Sequence, residues 1–258
     1  MTAAILIISF IFGLMIGSFL NVCIYRIPKD MSLVWPGSAC PKCGAKIKWY
    51  DNVPVFSWLF LRAKCRACKA GISAQYPAVE LFTGLITVLF VYKFGLTLWA
   101  GFALAAVYCL IALSVIDMQI MIIPDRFSIG LIVFGLAVSF SNPAFSGGVW
   151  QRLLSSFIGA VVGFFGLWGI ALIGTLLFRK EAMGGGDIKL MGAIGALSGV
   201  MGVVNALIIS SFAGLFYFGV LILLRRPADN GTIPFGPFLS VGLLFNLYFP
   251  VMNFFTLY

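Results

Sequence analysis

The chain has 258 residues, 62% of them hydrophobic and only 10% charged, with a net charge of +9 and a mean hydropathy of +1.09. A soluble domain of this length cannot hide so much apolar side chain, so the composition excludes a water-soluble globule and predicts an all-α polytopic membrane protein. Histidine is absent, which removes the commonest general base and neutral metal ligand and leaves acid–base chemistry to carboxylates, lysine, tyrosine or thiols.

Taken in chain order, apolar segments that approach the roughly 20 residues a membrane helix needs lie at about 4–25, 77–93, 98–118, 126–141, 153–178, 203–224 and 236–256. A shorter segment lies at about 188–201. The first segment has neither a basic start nor a small-residue cleavage site after it, so it reads as a retained helix rather than a signal peptide. Counting the short segment gives about eight transmembrane helices. All Lys and Arg except Lys93 and Arg152 then fall on one side. The excess of cations marks that side as cytoplasmic and puts both termini outside. With seven spans, Arg225 and Arg226 would cross over and weaken the asymmetry. Cations in such loops orient the protein in its lipid bilayer, so no nucleic-acid partner is expected. The organisation read from the sequence is a first transmembrane helix (1–26), a cytoplasmic cysteine domain (27–75) and a transmembrane domain (76–258). Small-residue pairs at Gly13/Gly17, Gly159/Gly163 and Gly195/Gly199 are expected to let helices approach closely.

The 27–75 segment is polar, punctuated by prolines, and carries "CPKC" at 40–43 and "CRAC" at 65–68. Each C-x2-C pair grips a metal from a tight turn, and two pairs complete a tetrahedron, so Cys40, Cys43, Cys65 and Cys68 are expected to hold a structural zinc. Nearby Lys42, Lys64 and Arg66 favour the thiolate forms. A loop of about 50 residues has too little core to fold well alone, so a metal staple is useful. Two disulfides are the alternative, and they would need an oxidising compartment. Four cysteine ligands leave no open position for a catalytic water. Cys23 and Cys109 lie in apolar segments and read as core residues.

The acids are Asp30, Asp51, Glu80, Asp117, Asp125, Glu181, Asp187 and Asp229. Pro124 prevents one helix from running through "IDMQIMIIPD" (116–125), so a new helix is expected at Asp125, with that residue as its N-cap. Asp117 sits at the end of an apolar span, at about interface depth, with no capping role to explain it; the plainer alternative is a side chain that simply reaches the headgroup region. Asp187 follows three glycines in "MGGGDIKL" (183–190), where missing side chains would let a bound peptide backbone lie close. N-capping of the short helix at 188–201 is the plainer alternative for Asp187. Brought together at the cytoplasmic face, Asp117 and Asp187 could share a proton, one activating water and the other protonating a leaving group. That is aspartyl-protease chemistry, and it needs no histidine.

At these residues the sequence resembles the bacterial type IV prepilin peptidases, which are intramembrane aspartyl proteases. The resemblance runs in order through "GSFLNVCIYRIP" (17–28), the paired cysteine motifs, "YPAVEL" (76–81), "IDMQIMIIPD", "MGGGDIKL" and "IPFGPFL" (233–239). Each segment alone is weak, but six in the right order over about 220 residues are specific. The resemblance implies residence in the bacterial inner membrane and cleavage of the short basic leader from prepilins and type II secretion pseudopilins. The cut follows a glycine and usually precedes a phenylalanine. It implies Asp117 and Asp187 as the catalytic pair, with Asp125 matching an acid that is not counted as catalytic. It also implies N-methylation of the new N-terminus with S-adenosylmethionine. The chain has no Rossmann glycine fingerprint, and Glu80 and the 27–75 loop are the places to seek the methyl-transfer site. Asp30, Asp51 and Glu80 could meet a basic leader, although the loop around the first two is itself basic.

Three other readings stay open at this stage. A transporter or channel would place acids deep within its spans. A lipid-head transferase would gather three or more acids around Mg2+, whereas a proline separates Asp117 from Asp125. A zinc-bearing assembly scaffold would need neither aspartate.

Overall fold

A computed structural model describes residues 2–180, 183–224 and 233–250. Glu181, Arg225, Arg226, Asp229 and the last part of the 236–256 segment lie outside the described residues. The described regular structure is helical, apart from two isolated antiparallel bridges. The helices are α1 (Ala3–Arg26), α2 (Phe56–Phe60), α3 (Gln75–Phe94), α4 (Leu98–Ile120), α5 (Asp125–Val138), α6 (Val149–Phe178), α7 (Gly185–Leu223) and α8 (Gly236–Tyr248). Five stretches are long and apolar enough to cross a membrane, namely Ala3–Lys29, Gln75–Phe94, Leu98–Ile120, Val149–Phe178 and Gly185–Leu223. α5 has 14 residues and α8 has 13. The chain divides into two compact units, Met1–Ala112 and Leu113–Tyr258.

In the first unit α1 packs on α3, and the pattern is that of a protein turned inside out for lipid. Ile7, Ile8, Ile11 and Phe12 point outward, while small and polar residues fill the contact. A Cβ on Gly13 would stand 2.7 Å from the Gly84 Cα, and one on Gly17 would stand 2.7 Å from the Glu80 Cα. The backbones therefore touch where side chains would separate them. Buried hydroxyls turn back on their own helix. Thr83 Oγ1 donates to the Val79 carbonyl at 2.7 Å, and Thr87 Oγ1 to the Thr83 carbonyl at 2.7 Å.

In the second unit α7 is the central helix and packs against α5, α6 and α8. Gly159 on α6 and Gly195 on α7 meet backbone to backbone, so a Cβ on either would overlap the other's carbonyl. Four residues later α7 breaks at Gly199, whose φ of 71° and ψ of −175° are not helical. The break falls inside the predicted 188–201 segment, two residues before its end and four before the 203–224 segment begins. Apolar surroundings offer no water to carbonyls released from a helical ladder, so side chains must satisfy them. Buried Ser156 Oγ donates to the Ala196 carbonyl at 2.6 Å. Buried Asn142 Nδ2 donates to the Leu197 carbonyl at 2.7 Å, and Asn246 Nδ2 to the Gly202 carbonyl at 2.7 Å. The bend is therefore held by residues from outside α7 rather than left soft.

Replacing Asn142 with leucine strips the Leu197 carbonyl of its donor without emptying the space. Thermal unfolding in detergent is expected to show a loss of about 1–3 kcal/mol. An unchanged melting temperature would mean that the break does not rely on that bond.

Candidate active site and metal centre

The cysteine loop contains two copies of one small device. In the first, Cys40 N–H donates to the Ala45 carbonyl at 2.9 Å and Gly44 N–H to the Cys40 carbonyl at 2.8 Å. In the second, Cys65 N–H donates to Ala70 at 2.8 Å and Lys69 N–H to Cys65 at 3.0 Å. Each turn reverses through a left-handed residue just after its second cysteine, Gly44 (φ 72°) and Lys69 (φ 57°). Each is closed by a bridge, Ala39 with Lys46 and Lys64 with Gly71. All four sulfurs lie within 4.8 Å of one another, with 3.9 Å between Cys40 Sγ and Cys68 Sγ. Thiolates at about 2.3 Å from one zinc stand roughly 3.8 Å apart, so the donor set fits a tetrahedral zinc held by four cysteines. The six cysteines are free thiols rather than disulfides.

The environment already favours one thiolate. Backbone N–H groups of Lys42 and then Cys43 draw the Cys40 thiol down to about 6. Cys43 is pulled down by the Ala45 N–H, but its crowding against Cys68, Cys40 and Cys65, with burial, pushes it up to about 11. Beside the cluster, Arg66 forms two hydrogen bonds with Asp51, Nε to Oδ2 at 2.8 Å and Nη2 to Oδ1 at 2.6 Å. This pair holds the Asp51 carboxyl below its usual value. Its contribution is therefore complete above the ordinary carboxyl range and is lost as pH falls through the lowered value. Asp51 is thus committed within the loop rather than presented to a basic leader.

The two catalytic candidates lie in the second unit, at helix ends. Asp117 is in the last turn of α4, where its carbonyl accepts the Met121 N–H at 2.8 Å. Met121 then turns left-handed (φ 53°) and stops the helix. The Asp117 side chain is buried, 5% exposed. Its Oδ2 accepts the Gly236 N–H at 3.0 Å. Gly236 is the first residue of α8, and helix N-termini carry donors without intrahelical partners, which suit a carboxylate. A Cβ on Gly236 would stand 2.7 Å from that Oδ2 and 2.9 Å from Ile123 Cδ1. Buried Ile123 also packs on the start of α7, where a Cβ on Gly186 would stand 2.9 Å from the Ile123 Cβ. One isoleucine thus touches the residues that adjoin both acids.

Asp187 sits in the first turn of α7, with Gly184 in the cap position. Its N–H donates to the Gly184 carbonyl at 3.1 Å. The Asp187 and Asp117 carboxylates are close enough to act on each other electrostatically. Asp187 Oδ1 is buried and has no hydrogen-bond partner, an exception to the rule that buried acceptors are satisfied. The three glycines do not share one role. Gly184 and Gly185 are exposed, and a Cβ on Gly185 would meet open space, whereas Gly186 is needed for the Ile123 contact.

Some expectations need correction. α5 does start where Pro124 ends the preceding stretch, but Pro124 itself holds the cap position and Asp125 is the first helical residue. The Asp125 side chain does not cap. Its Oδ1 pairs instead with Lys189 Nζ at 2.7 Å, which links the first turns of α5 and α7. Cys23 is buried, as expected of a core residue, whereas Cys109 is only half-buried. The sequence singled out "IPFGPFL" but not the role of the Gly236 N–H. A glycine just before a proline at a helix start was the available signal. Ile123 carried no signal at all.

Residues 11–94 match the Bacterial Peptidase A24 N-terminal domain, and residues 102–219 match the Type IV leader peptidase family. The chain belongs to the type IV leader peptidase family. Among curated members, the Prepilin leader peptidase/N-methyltransferase of Stutzerimonas stutzeri is 36% identical over 263 residues, covering 93% of this chain and 89% of that protein. The protein of the same name from Xanthomonas campestris pv. campestris is 38% identical over 255 residues, covering 89% and 86%. That from Pseudomonas aeruginosa is 36% identical over 263 residues, covering 93% and 88%. No solved structure matches the chain. Both family segments take in the features just described. The N-terminal segment contains the four cysteines, and the leader peptidase segment contains Asp117 and Asp187.

Two variants test these candidate sites. Cys43→Ser with Cys68→Ser removes one ligand from each knuckle, and bound zinc measured by mass spectrometry should fall to background. Retained stoichiometric metal would refute the four-cysteine assignment. Gly236→Ala drives a methyl group into Asp117 Oδ2 and is expected to lower peptidase turnover at least tenfold while leaving zinc bound.

Proposed function

We propose that this chain removes the basic leader from type IV prepilins and type II secretion pseudopilins and then N-methylates the new N-terminus. The observation that carries the first half is the packing of Ile123 against Gly236, which adjoins Asp117, and Gly186, which precedes Asp187, with one buried carboxylate oxygen, Asp187 Oδ1, lacking a partner. One carboxylate takes a proton from water as the oxygen attacks the scissile carbonyl. The other, protonated, delivers a proton to the departing amine as the C–N bond breaks. The exposed Gly184 and Gly185 suit the close approach of an extended substrate backbone. The buried, largely apolar setting strengthens both hydrogen bonds and charge interactions during the reaction.

The same reading makes eight membrane passages. The described helices α1, α3, α4, α5 and α6 supply five, the two halves of α7 on either side of Gly199 supply two, and α8 supplies the eighth. Placing the cation-rich loops in the cytoplasm puts the 27–75 loop and both aspartates at the inner face of the bacterial inner membrane. There the leader of a substrate whose apolar helix stays in the bilayer would be presented. Cys40, Cys43, Cys65 and Cys68 would hold a zinc that ties the two knuckles together. The methyl donor, S-adenosylmethionine, supplies an electrophilic methyl group when bound. Buried acceptors in the first unit, Glu80 and the Asn21 side chain, fit a cationic group of that reaction. A Mg2+-dependent transferase is disfavoured by the ion pair that occupies Asp125.

The deciding experiment is leader removal from a prepilin in membranes. Asp117→Asn and Asp187→Asn should each reduce cleavage by several orders of magnitude with zinc retained. Near-wild-type cleavage by either variant would remove that residue from the catalytic pair. Asp125→Asn should stay within about tenfold of wild type, because an exposed ion pair contributes only about 0–1 kcal/mol. Cleavage should also persist in EDTA for as long as the cysteine loop keeps its metal.

A further inference from the structure

Outside the aspartate site, Glu80 is the one buried carboxylate among the described residues, 7% exposed, and peptide hydrolysis makes no use of it. It lies at the crossing of α1 and α3, where Gly17 brings the two backbones together. Its Oε2 accepts the N–H of Val55 at 2.7 Å, and the Ser18 side chain is within hydrogen-bonding reach. Val55 has φ 63° and ψ −52°, a conformation that a β-branched residue adopts only when its surroundings impose it. Among the described residues, no lysine or arginine forms an ion pair with Glu80; such pairs join Arg66 to Asp51 and Lys189 to Asp125 instead. A buried carboxylate without a cation is costly to keep.

A second acceptor stands one helical turn away. Asn21 is 4% exposed, and its Nδ2 donates to the Gly17 carbonyl at 3.3 Å and the Tyr76 carbonyl at 3.1 Å. Tyr76 precedes Glu80 by four residues on α3. Asn21 Oδ1 is buried with no partner. The α1–α3 crossing therefore gathers a carboxylate and an unsatisfied amide oxygen, an acceptor set for a small cation that donates hydrogen bonds.

We propose that Glu80 and Asn21 form the seat of the amine that is methylated, with Glu80 as the base. This rests on the reading that the chain transfers a methyl group. The terminal ammonium gives a proton to the Glu80 carboxylate while Asn21 Oδ1 holds a remaining N–H. The freed nitrogen lone pair forms the new N–C bond as the methyl–sulfur bond of S-adenosylmethionine breaks, its electron pair going to sulfur. Glu80 passes its proton to solvent, so each turnover converts one ammonium and one sulfonium into a methylammonium, a neutral thioether and one released proton.

Glu80→Gln separates base from anchor, because the amide oxygen still accepts the Val55 N–H but takes no proton. In the full chain, leader removal and methylation are scored separately by product mass. Direct binding is measured without methyl donor, using a peptide with the free N-terminus of the cleaved substrate and its N-acetyl counterpart. Wild type should prefer the free amine, and Glu80→Gln should lose that preference. Methylation should fall at least 100-fold, with cleavage and zinc unchanged. Asn21→Ala should raise KM for the peptide and leave KM for S-adenosylmethionine alone. Near-wild-type methylation by Glu80→Gln overturns the proposal, as does equal binding of the two peptides by wild type. Loss of zinc and cleavage together with methylation would make Glu80 a structural anchor instead. A raised KM for S-adenosylmethionine alone would assign the seat to the sulfonium. A wild type that cleaves but never methylates would fail the underlying reading itself.

Discussion

A carboxylate in an apolar helical bundle has to be held, and in the second unit Asp117 is held by the N–H of Gly236. That bond joins the end of α4 to the start of α8. It explains why position 236 has no side chain, why a helix begins there, and why a buried acid is tolerable at the end of a long apolar span. Ile123 extends the arrangement to Gly186 and so places the first turn of α7 beside the same acid. Asp187 is then presented by a helix N-terminus, while one of its oxygens stays without a partner. Stability and chemistry pull in different directions at these two groups. The Asp117 oxygen is satisfied and fixed, and the Asp187 oxygen remains available to an incoming molecule.

The surrounding helices follow from the scarcity of hydrogen-bonding partners in lipid. Close crossings at Gly13, Gly17, Gly159 and Gly195 gain van der Waals contact where burial of apolar surface offers no advantage. Where the ladder of α7 is broken, Ser156 and Asn142 supply the missing donors. The bend at Gly199 also lets one long apolar stretch behave as two segments of different direction, and the first of them carries Asp187.

Much of this was legible in the sequence, for reasons that can be named. Long apolar runs report helices almost directly, and the predicted starts and ends lie within a few residues of α1, α3 and α4. The short 188–201 segment was visible by composition, but its junction with the next was visible only as a glycine. The cysteine spacing pointed to the cluster that the structure gathers, because each C-x2-C turn presents two thiols to one point. What stayed hidden were contacts between residues far apart in sequence. Asp125 looked like a cap by local logic, yet its partner is Lys189, 64 residues on. The Gly236 N–H reaches Asp117 across 119 residues, and no local pattern encodes such a pairing. Glu80 stood out as an acid near a helix start, but the strained turn at Val55 that it fastens did not.

The short helices of the second unit bear on the membrane as well as on the protein. α5 has 14 residues, α8 has 13, and the part of α7 before Gly199 is about as short. Helices of this length rise on the order of 20 Å, against a hydrocarbon layer of about 30 Å. Their N-terminal turns carry Asp125, Asp187 and Gly236. Such hydrophobic mismatch is relieved by thinning the adjacent bilayer. If these short helices cross the bilayer as the eight-passage reading has it, lipid around this unit would be drawn inward and the water boundary would follow it toward the acids. On the proposed reading of the aspartates, water, the co-substrate of peptide hydrolysis, would then reach them through the shape of the bilayer.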